Sequence, residues 1–271
     1  HSPMPSDVMD PEEAYNLCDV LRERDEGVIQ IICEIGTNIR REIVEGAARR
    51  SGRPVLHNIT LAVDGSPSLH RDTMQWLDRV SARGLNVYSQ GFTYRLWQEF
   101  SATEFTVWDI IPVFRTLSLA GSVEAKIALV RDPSYRERMR NEFNAVDYYS
   151  RTGGDLPSYI LHSAGGASNF KPFEGQKLAA IARTLSRPLT DTLLDLLSES
   201  EFKAEFRSMN AGGTDPDYTA EILRHHRTYP GISDGGAHLK TVCGGGWSTD
   251  MITWLARESN TVTLEEIHKA L

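Results

Sequence analysis

Short apolar runs alternate with segments of helical periodicity along the first third of the chain. The apolar runs are rich in β-branched residues, which is typical of strands covered on both faces. The predicted strands are 28–33, 54–60 and 85–90, and the predicted helices are 10–21, 38–50 and 69–83. Successive strands begin about 30 residues apart, which is the size of a βαβ unit. The pattern therefore predicts a parallel sheet, either open or closed into a barrel.

The periodicity becomes irregular between residues 95 and 157, where aromatic side chains are scattered among polar ones. Residues 131–144 form the clearest element, a charged surface helix that Asp132 and Pro133 are expected to start. We predict a helical or irregular insertion over 95–157. Such a long excursion is typical of a lid or substrate loop, and equally of a solvated decoration.

The alternation of strands and helices resumes after the insertion. We predict strands at 158–163 and 231–234, and helices at 175–185, 188–197, 217–225 and 249–258. With the three earlier strands, this gives five strands in one α/β domain that spans residues 1–271.

Composition narrows the range of functions. The chain has 271 residues and a formal net charge of −8, which argues against binding to nucleic acid or to an anionic membrane. Its three cysteines, Cys18, Cys33 and Cys243, are far apart and odd in number, so we expect no disulfide framework and a cytoplasmic location. The sequence has no run of apolar residues long enough to span a membrane, and we expect no signal peptide.

A polar side chain stands near the end of nearly every predicted strand. These residues are Glu34, His57, Gln90, His162 and Asp234, with His238 four positions farther on. The carboxyl ends of parallel strands share one edge, which is where α/β enzymes build their sites. Imidazole and carboxylate are normal zinc ligands, and a zinc-bound water becomes a nucleophile near neutral pH. Each residue also has a simpler interpretation, in which His57 is a hydrogen-bonded core histidine.

The segment from Pro230 to His238 combines a short apolar entry with Ser233, Asp234 and two glycines. It fits a strand whose last residue points a carboxylate into a cavity, followed by a tight turn. Asp234 and His238 are then a candidate catalytic pair. A glycine-rich turn that carries a solvated aspartate and a surface histidine explains the same residues equally well.

Four segments resemble one enzyme family. They are Ile232-Ser-Asp-Gly-Gly-Ala-His-Leu239, Gly52-Arg-Pro-Val-Leu-His-Asn-Ile59, Gly84-Leu-Asn-Val-Tyr-Ser-Gln-Gly-Phe-Thr-Tyr94 and Phe173-Glu-Gly-Gln-Lys-Leu-Ala-Ala-Ile-Ala182. Together they are similar to the N-acyl-D-amino-acid deacylases (D-aminoacylases), which are zinc enzymes of the amidohydrolase superfamily. The resemblance covers most of the chain, and its Ser-Asp-Gly-Gly-Ala-His motif is fairly specific.

The resemblance implies the C-terminal five or so βα units of a (β/α)8 TIM barrel, and an enzyme that hydrolyses the C–N amide bond of an N-acyl amino acid or related small molecule. It implies one or two zinc ions, with Asp234 as both metal ligand and base and His57 as a metal ligand. His238 is expected near the substrate. We take Glu34 and Gln90 as further metal ligands, and His162 and Tyr94 as substrate contacts.

Two departures from the family pattern leave other functions open. No two histidines stand one residue apart, so the His-x-His pair of the superfamily's first strand is missing. Five strands also cannot close an eight-stranded barrel. We therefore expect association with a second copy or with the missing half of the barrel. The alternatives to a zinc hydrolase are a non-catalytic binding or assembly scaffold, and a metal-independent lyase that uses Asp234 and His238.

Overall fold

A computed structural model of the chain describes residues 9–32, 41–63, 66, 68–95, 97–103, 106–152, 154–209, 213–233, 235 and 244–271. Within these residues the chain forms two compact units. We call residues 97–209 the antiparallel unit, and residues 9–95, 213–233 and 244–271 the parallel unit, after the sheet that each contains.

The helices and strands follow one another along the whole described chain. The strands are β1 (Ile29–Ile32), β2 (Val55–Thr60), β3 (Val87–Gly91), β4 (Trp97–Ser101), β5 (Ile160–Ser163), β6 (Glu205–Met209) and β7 (Thr228–Pro230). The α-helices are α1 (Pro11–Arg24), α2 (Arg41–Ser51), α3 (Leu69–Ala82), α4 (Pro112–Leu119), α5 (Val123–Arg131), α6 (Pro133–Glu142), α7 (Ala145–Thr152), α8 (Leu178–Thr184), α9 (Leu189–Glu199), α10 (Pro216–Arg224), α11 (Trp247–Asp250) and α12 (Leu264–Ala270). Short 3-10 turns lie at Thr106–Ile110, Leu156–Ser158 and Lys171–Phe173, and a π-helix (Met251–Glu258) continues α11.

The parallel unit contains a four-stranded sheet in the order β1-β2-β3-β7, and every neighbouring pair is parallel. This confirms the parallel sheet that the strand spacing predicted. One face is covered by a core of aliphatic side chains from α2, α3 and the strands, which include Val44, Leu77, Val80, Val55 and Val87. Within the described residues the sheet stays open, so closure into a barrel remains a prediction.

Side chains along each strand point alternately to this covered face and to the opposite face of the sheet. On the opposite face, the side chains of β1 and β7 are exposed: Ile32 is 69% exposed and Tyr229 is 52% exposed. Successive side chains on a strand point to opposite faces of the sheet, which explains why more and less exposed residues alternate along β1. We call the surface formed by Gln30, Ile32, Leu56, Asn58, Tyr88, Gln90 and Tyr229 the open face.

Two predicted helix starts are confirmed in detail. The Asp10 carboxylate accepts a hydrogen bond from the Glu12 N–H ahead of Pro11, and the Asp132 carboxylate accepts from the Ser134 and Tyr135 N–H groups. In both helices an aspartate satisfies amide groups that have no partner within the first turn, and a proline follows where no amide is needed.

The antiparallel unit has its own three-stranded sheet in the order β4-β6-β5. The strand predicted at 158–163 exists as β5, but the expectation that it continues the parallel series is wrong. It pairs antiparallel with β6, and β6 pairs antiparallel with β4. A four-residue strand does not reveal the direction of its partner strand, and β4 and β6 were not predicted.

Four aromatic residues of the middle region, Phe100, Trp108, Phe114 and Tyr148, belong to one core, whereas Trp97 is exposed. Phe100 lies within 5.4–6.2 Å, centroid to centroid, of the rings of Trp108, Tyr159 and Phe206. The Trp108 indole N–H donates to the Tyr148 hydroxyl at 2.9 Å. Helices α4 to α7 lie in the predicted insertion at 95–157, and the compact unit continues past it to residue 209. The insertion boundary at 157 stays a prediction.

The last strand of the parallel sheet ends earlier than the sequence suggested. Residues 231–234 were predicted as a strand, whereas β7 spans Thr228–Pro230. Gly231 has a φ of +102°, which is outside the range of a β-strand, so the chain turns out of the sheet at this point. Every helix in the described part of the chain is too short or too polar to cross a membrane.

Candidate functional site

The carboxyl ends of β3 and β7 lie side by side and define the edge where a site is expected. The Gly231 N–H donates to the Gly91 carbonyl at 3.1 Å, and the Gln90 side-chain amide lies 3.5 Å from the Gly231 carbonyl. The two chain segments therefore leave the sheet together. Gly231 through Ser233 follow β7 directly, and Asp234 is next in the sequence.

Tyr94 lies close to the backbone that follows β7. Its side chain is buried, and its ring stacks on Phe92 with a centroid separation of 4.5 Å. A Cβ at position 244 would overlap the Tyr94 hydroxyl, so only glycine fits there. The Gly244 N–H in turn donates to the Ser233 carbonyl at 2.6 Å. Tyr94 is thus next to the predicted site segment, and its contact with a substrate stays a prediction.

Side-chain amides meet on the open face near this edge. Gln30 donates to the Gln90 side-chain oxygen at 2.9 Å, and Asn58 is paired with Gln90 in the strand register. Asn58 is 8% exposed, and its side-chain oxygen accepts no hydrogen bond from any residue that the structure describes. A buried acceptor without a partner is unfavourable in a folded protein and is often matched by a ligand or water. The sequence analysis did not single out Asn58. It follows His57 directly, so its side chain points to the opposite face of the sheet from His57, which is the face that carries Gln90.

His57 faces the opposite side of the sheet. It is paired with Ser89 in the register, and its Nδ1 lies 3.0 Å from the Ser89 hydroxyl, which also receives a hydrogen bond from Thr60. Its ring lies edge-on to Trp76 of α3, with 5.2 Å between centroids. His57 is therefore packed between the sheet and its helices, in the position of a core histidine.

Burial, and secondarily the nearby Arg41 cation, lowers the pKa of His57 from 6.5 to about 4. The imidazole is thus neutral at neutral pH, as a metal ligand must be. Its location, however, separates it from Gln90, because adjacent positions on a strand project from opposite faces. The structure does not bring His57 and Gln90 together around one ion, so both ligand assignments stay predictions without support from this geometry.

The remaining predicted site residues fall elsewhere. Asp234, His238 and Glu34 lie outside the described residues, and their roles stay predictions. His162 is an exposed residue of β5, which belongs to the antiparallel sheet. The assumption that it ends a strand of the parallel sheet is wrong, because β5 pairs with β6, and a substrate contact at His162 stays a prediction.

Comparisons with known proteins give no sequence relative. No protein-family model matches the chain, and no curated protein matches it. Among solved structures, it is similar to N-acyl-D-glutamate deacylase from Bordetella bronchiseptica, complexed with zinc and a phosphonate inhibitor. That match has 16% identity and a TM-score of 0.42, and it covers 97% of this chain and 44% of the other.

A structure of D-aminoacylase, described as defining a subset of amidohydrolases, matches with 14% identity and a TM-score of 0.46 over 98% of this chain. A second D-aminoacylase structure, concerned with that enzyme's binuclear metal center, gives 14% identity and a TM-score of 0.42. This chain spans 44% of the length of each of these structures. The structural similarity to these amidohydrolases is therefore partial, and it assigns no role to any residue of this chain.

Proposed function

We propose that this chain carries part of the site of a hydrolase that cleaves a C–N amide bond, with an N-acyl amino acid or a related amide as substrate. The observation that supports this most directly is the parallel pairing of β7 with β3. It brings the segment before Asp234 to the carboxyl edge beside Gln90, which is where parallel α/β folds carry catalytic residues.

In this proposal the Asp234 carboxylate accepts a proton from the attacking water and passes it to the departing amine. The side-chain amides of Gln90 and Asn58 can both donate and accept hydrogen bonds, and they are suited to orient the acyl group or carboxylate of a substrate. The Asn58 side-chain oxygen, which has no partner among the residues that the structure describes, is suited instead to accept a hydrogen bond from the N–H of the substrate's amide bond.

Zinc is proposed as the cofactor on the strength of the sequence resemblance. Of the four predicted ligands, the structure describes only His57 and Gln90, and these lie on opposite faces of one sheet. The described residues thus do not fit a shared zinc site, and no step of the proposed reaction is assigned to a metal.

The proposal is tested by assaying hydrolysis of N-acetyl-D-amino acids by the full chain and its variants. We expect Asp234→Asn to lower kcat/KM by about 10²–10⁴-fold, the usual loss when a general base is removed. Asp217→Asn, an exposed change on α10, is the matched control and is expected to match the unaltered chain. Equal activity of the two variants, or no hydrolysis by the unaltered chain with added zinc, contradicts the proposal.

A second candidate is a non-catalytic scaffold that acts in binding or assembly. It is favoured by the core position of His57 and by exposed apolar side chains on the open face, such as Ile32 and Tyr229. The partner would be a second copy or the chain that supplies the missing half of the barrel. This alternative is supported if the purified chain contains no bound zinc and a chelator removes no activity from it. An activity that survives chelation but is lost in Asp234→Asn instead supports the metal-independent lyase.

A further inference from the structure

Three side chains with metal-binding atoms meet away from the proposed hydrolase site. Asp78 lies on α3, His225 is the C-cap residue of α10, and His226 follows it. One ligand atom from each lies within 4.8 Å of the other two. Among the described residues, these three form the group of histidine, cysteine, aspartate or glutamate side chains that lie close enough together to hold a metal ion. None of the three has a role in the proposed hydrolysis.

We propose that Asp78, His225 and His226 bind a divalent transition-metal ion of the zinc class, with water as the fourth ligand. Two imidazoles and a carboxylate are a normal zinc ligand set with one open position. The ion would link α3 to the end of α10 and so stabilise the parallel unit.

The spacing of the ligand atoms suits a tetrahedral ion. Bonds of about 2.0–2.1 Å at tetrahedral angles place two ligand atoms about 3.3–3.4 Å apart. The Asp78 carboxylate oxygen lies 3.1 Å from His225 Nε2 and 3.8 Å from His226 Nδ1. These two separations lie on either side of the tetrahedral value, so small side-chain rotations complete the geometry.

Two of the three side chains are exposed, so an ion can reach them, and the third, that of His225, is mostly buried. The side chains of Asp78 and His226 are 53% and 65% exposed, whereas that of His225 is 12% exposed. Burial lowers the pKa of His225, although the Asp78 carboxylate acts in the opposite direction. The last carbonyl groups of α10 point toward its C-terminal end, where a cation is favoured by the helix dipole.

Metal binding requires a change of tautomer at His225. In the structure the Arg227 backbone N–H lies 3.3 Å from His225 Nδ1, so Nδ1 accepts and Nε2 carries the proton that points to Asp78. The ion takes the place of that proton, which moves to Nδ1. Metal binding therefore breaks the long hydrogen bond from the Arg227 N–H to His225 Nδ1, and coordination of the ion by three side chains offsets this loss.

The test is calorimetric titration of the chelator-treated full chain with Zn²⁺ alone, followed by Co²⁺ with visible absorption as a reporter of four-coordinate geometry. We expect His226→Gln and Asp78→Asn each to weaken this binding event by at least tenfold and to remove the four-coordinate Co²⁺ spectrum. His268→Gln changes an exposed histidine on α12 and is the matched control. It is expected to bind as the unaltered chain does.

Asp234→Asn separates this site from the proposed hydrolase site, and it is expected to leave this binding event and its spectrum unchanged. Because His226 is mostly exposed, its replacement is expected to leave the thermal midpoint of the metal-free chain in place while abolishing the rise that Zn²⁺ produces. If His226→Gln and Asp78→Asn bind Zn²⁺ as tightly as His268→Gln, or if the unaltered chain binds none, the metal site is disproved.

Discussion

His57 illustrates how burial, reinforced by a nearby cation, decides the protonation state of a residue. The residue is 5% exposed, its Nδ1 shares a hydrogen bond with the Ser89 hydroxyl, and burial, followed by the Arg41 cation, lowers its pKa to about 4. In the unfolded chain the same imidazole has its ordinary pKa of 6.5. As the pH falls from about 6.5 to 4, the unfolded chain therefore takes up a proton that the folded chain does not, and stability decreases over this range.

We predict that His57→Gln removes part of this pH dependence. The unaltered chain is expected to lose up to roughly 3 kcal/mol of unfolding free energy from this group between pH 7.5 and pH 4. Urea unfolding at both pH values measures the loss. His268→Gln, on the exposed surface of α12, is expected to keep the full dependence. An unchanged pH slope in His57→Gln would show that the buried imidazole does not cause it.

Gly231 is the residue at which the chain leaves the parallel sheet. It has a φ of +102°, and a Cβ at this position would lie 2.6 Å from the ring of Trp247. Both backbone strain and overlap with an aromatic ring therefore oppose any side chain here.

We predict that Gly231→Ala destabilises the chain by about 2–4 kcal/mol, from backbone strain and overpacking together. Gly84→Ala is the matched control, because Gly84 has a φ of +79° and open space where its Cβ would be. It is expected to cost only about 1 kcal/mol. The two free energies of unfolding are compared by urea titration, and equal losses would show that the Trp247 contact has no effect.

At the residue scale, the sequence identifies polar positions at strand ends but not the face that each one occupies. Gln90 was predicted at the carboxyl edge and lies there. His57 was predicted to face the same site, yet it lies on the helix-covered face, while its neighbour Asn58 shares the open face with Gln90. A shift of one residue in a strand reverses the face, and no local pattern in Val-Leu-His-Asn-Ile-Thr distinguishes the two possibilities.

At the scale of elements, the reliable predictions were those with long periodic segments. Helices α1, α3 and α6 match their predicted ranges within a few residues, because capping aspartates mark the starts of α1 and α6 and apolar periodicity marks α3. Strands β4 and β6 were missed because each is a five-residue segment with charged residues facing solvent. The antiparallel pairing of β5 depends on β6, which is more than forty residues away in the sequence, and local patterns carry no information about it.

A cluster of charged residues connects α3 to α10. Glu221 on α10 pairs with Arg71 at 2.6 Å and with His70 at 3.0 Å, both on α3. The Arg71 guanidinium, and secondarily His70, lower the pKa of Glu221 to about 2. A lowered pKa means that the pairing stabilises the fold above the ordinary carboxyl pKa and that this contribution is lost as the pH falls toward 2.

We predict that Glu221→Gln lowers the free energy of unfolding at pH 7 by about 1 kcal/mol, a value that allows for partial exposure of the carboxylate to solvent. The difference from the unaltered chain is expected to shrink as the pH falls from 5 to 3. Chemical denaturation across this range measures both effects. Glu137→Gln, an exposed change on α6, is the control and is expected to have no effect. A loss that stays constant with pH would exclude the charge as its cause.

At the scale of the whole molecule, each unit has a hydrophobic core of its own. The antiparallel unit buries an aromatic and leucine-rich cluster that includes Leu194, and the parallel unit buries a separate cluster between α2, α3 and the sheet that includes Leu77. Both leucines are fully buried. Since each core is formed within one unit, the two units can unfold as separate cooperative steps.

We therefore predict two unfolding transitions, each assigned by one core substitution. Leu194→Ala is expected to weaken the transition of the antiparallel unit by about 2–5 kcal/mol and to leave the other in place, and Leu77→Ala is expected to do the reverse. The matched pair removes the same atoms from two fully buried positions, so the comparison does not depend on the chemistry of the substitution. Calorimetry resolves the transitions, and amide hydrogen exchange assigns them to residues. If both variants lower the same single transition, the two cores unfold together, and the division into separate cooperative units is wrong.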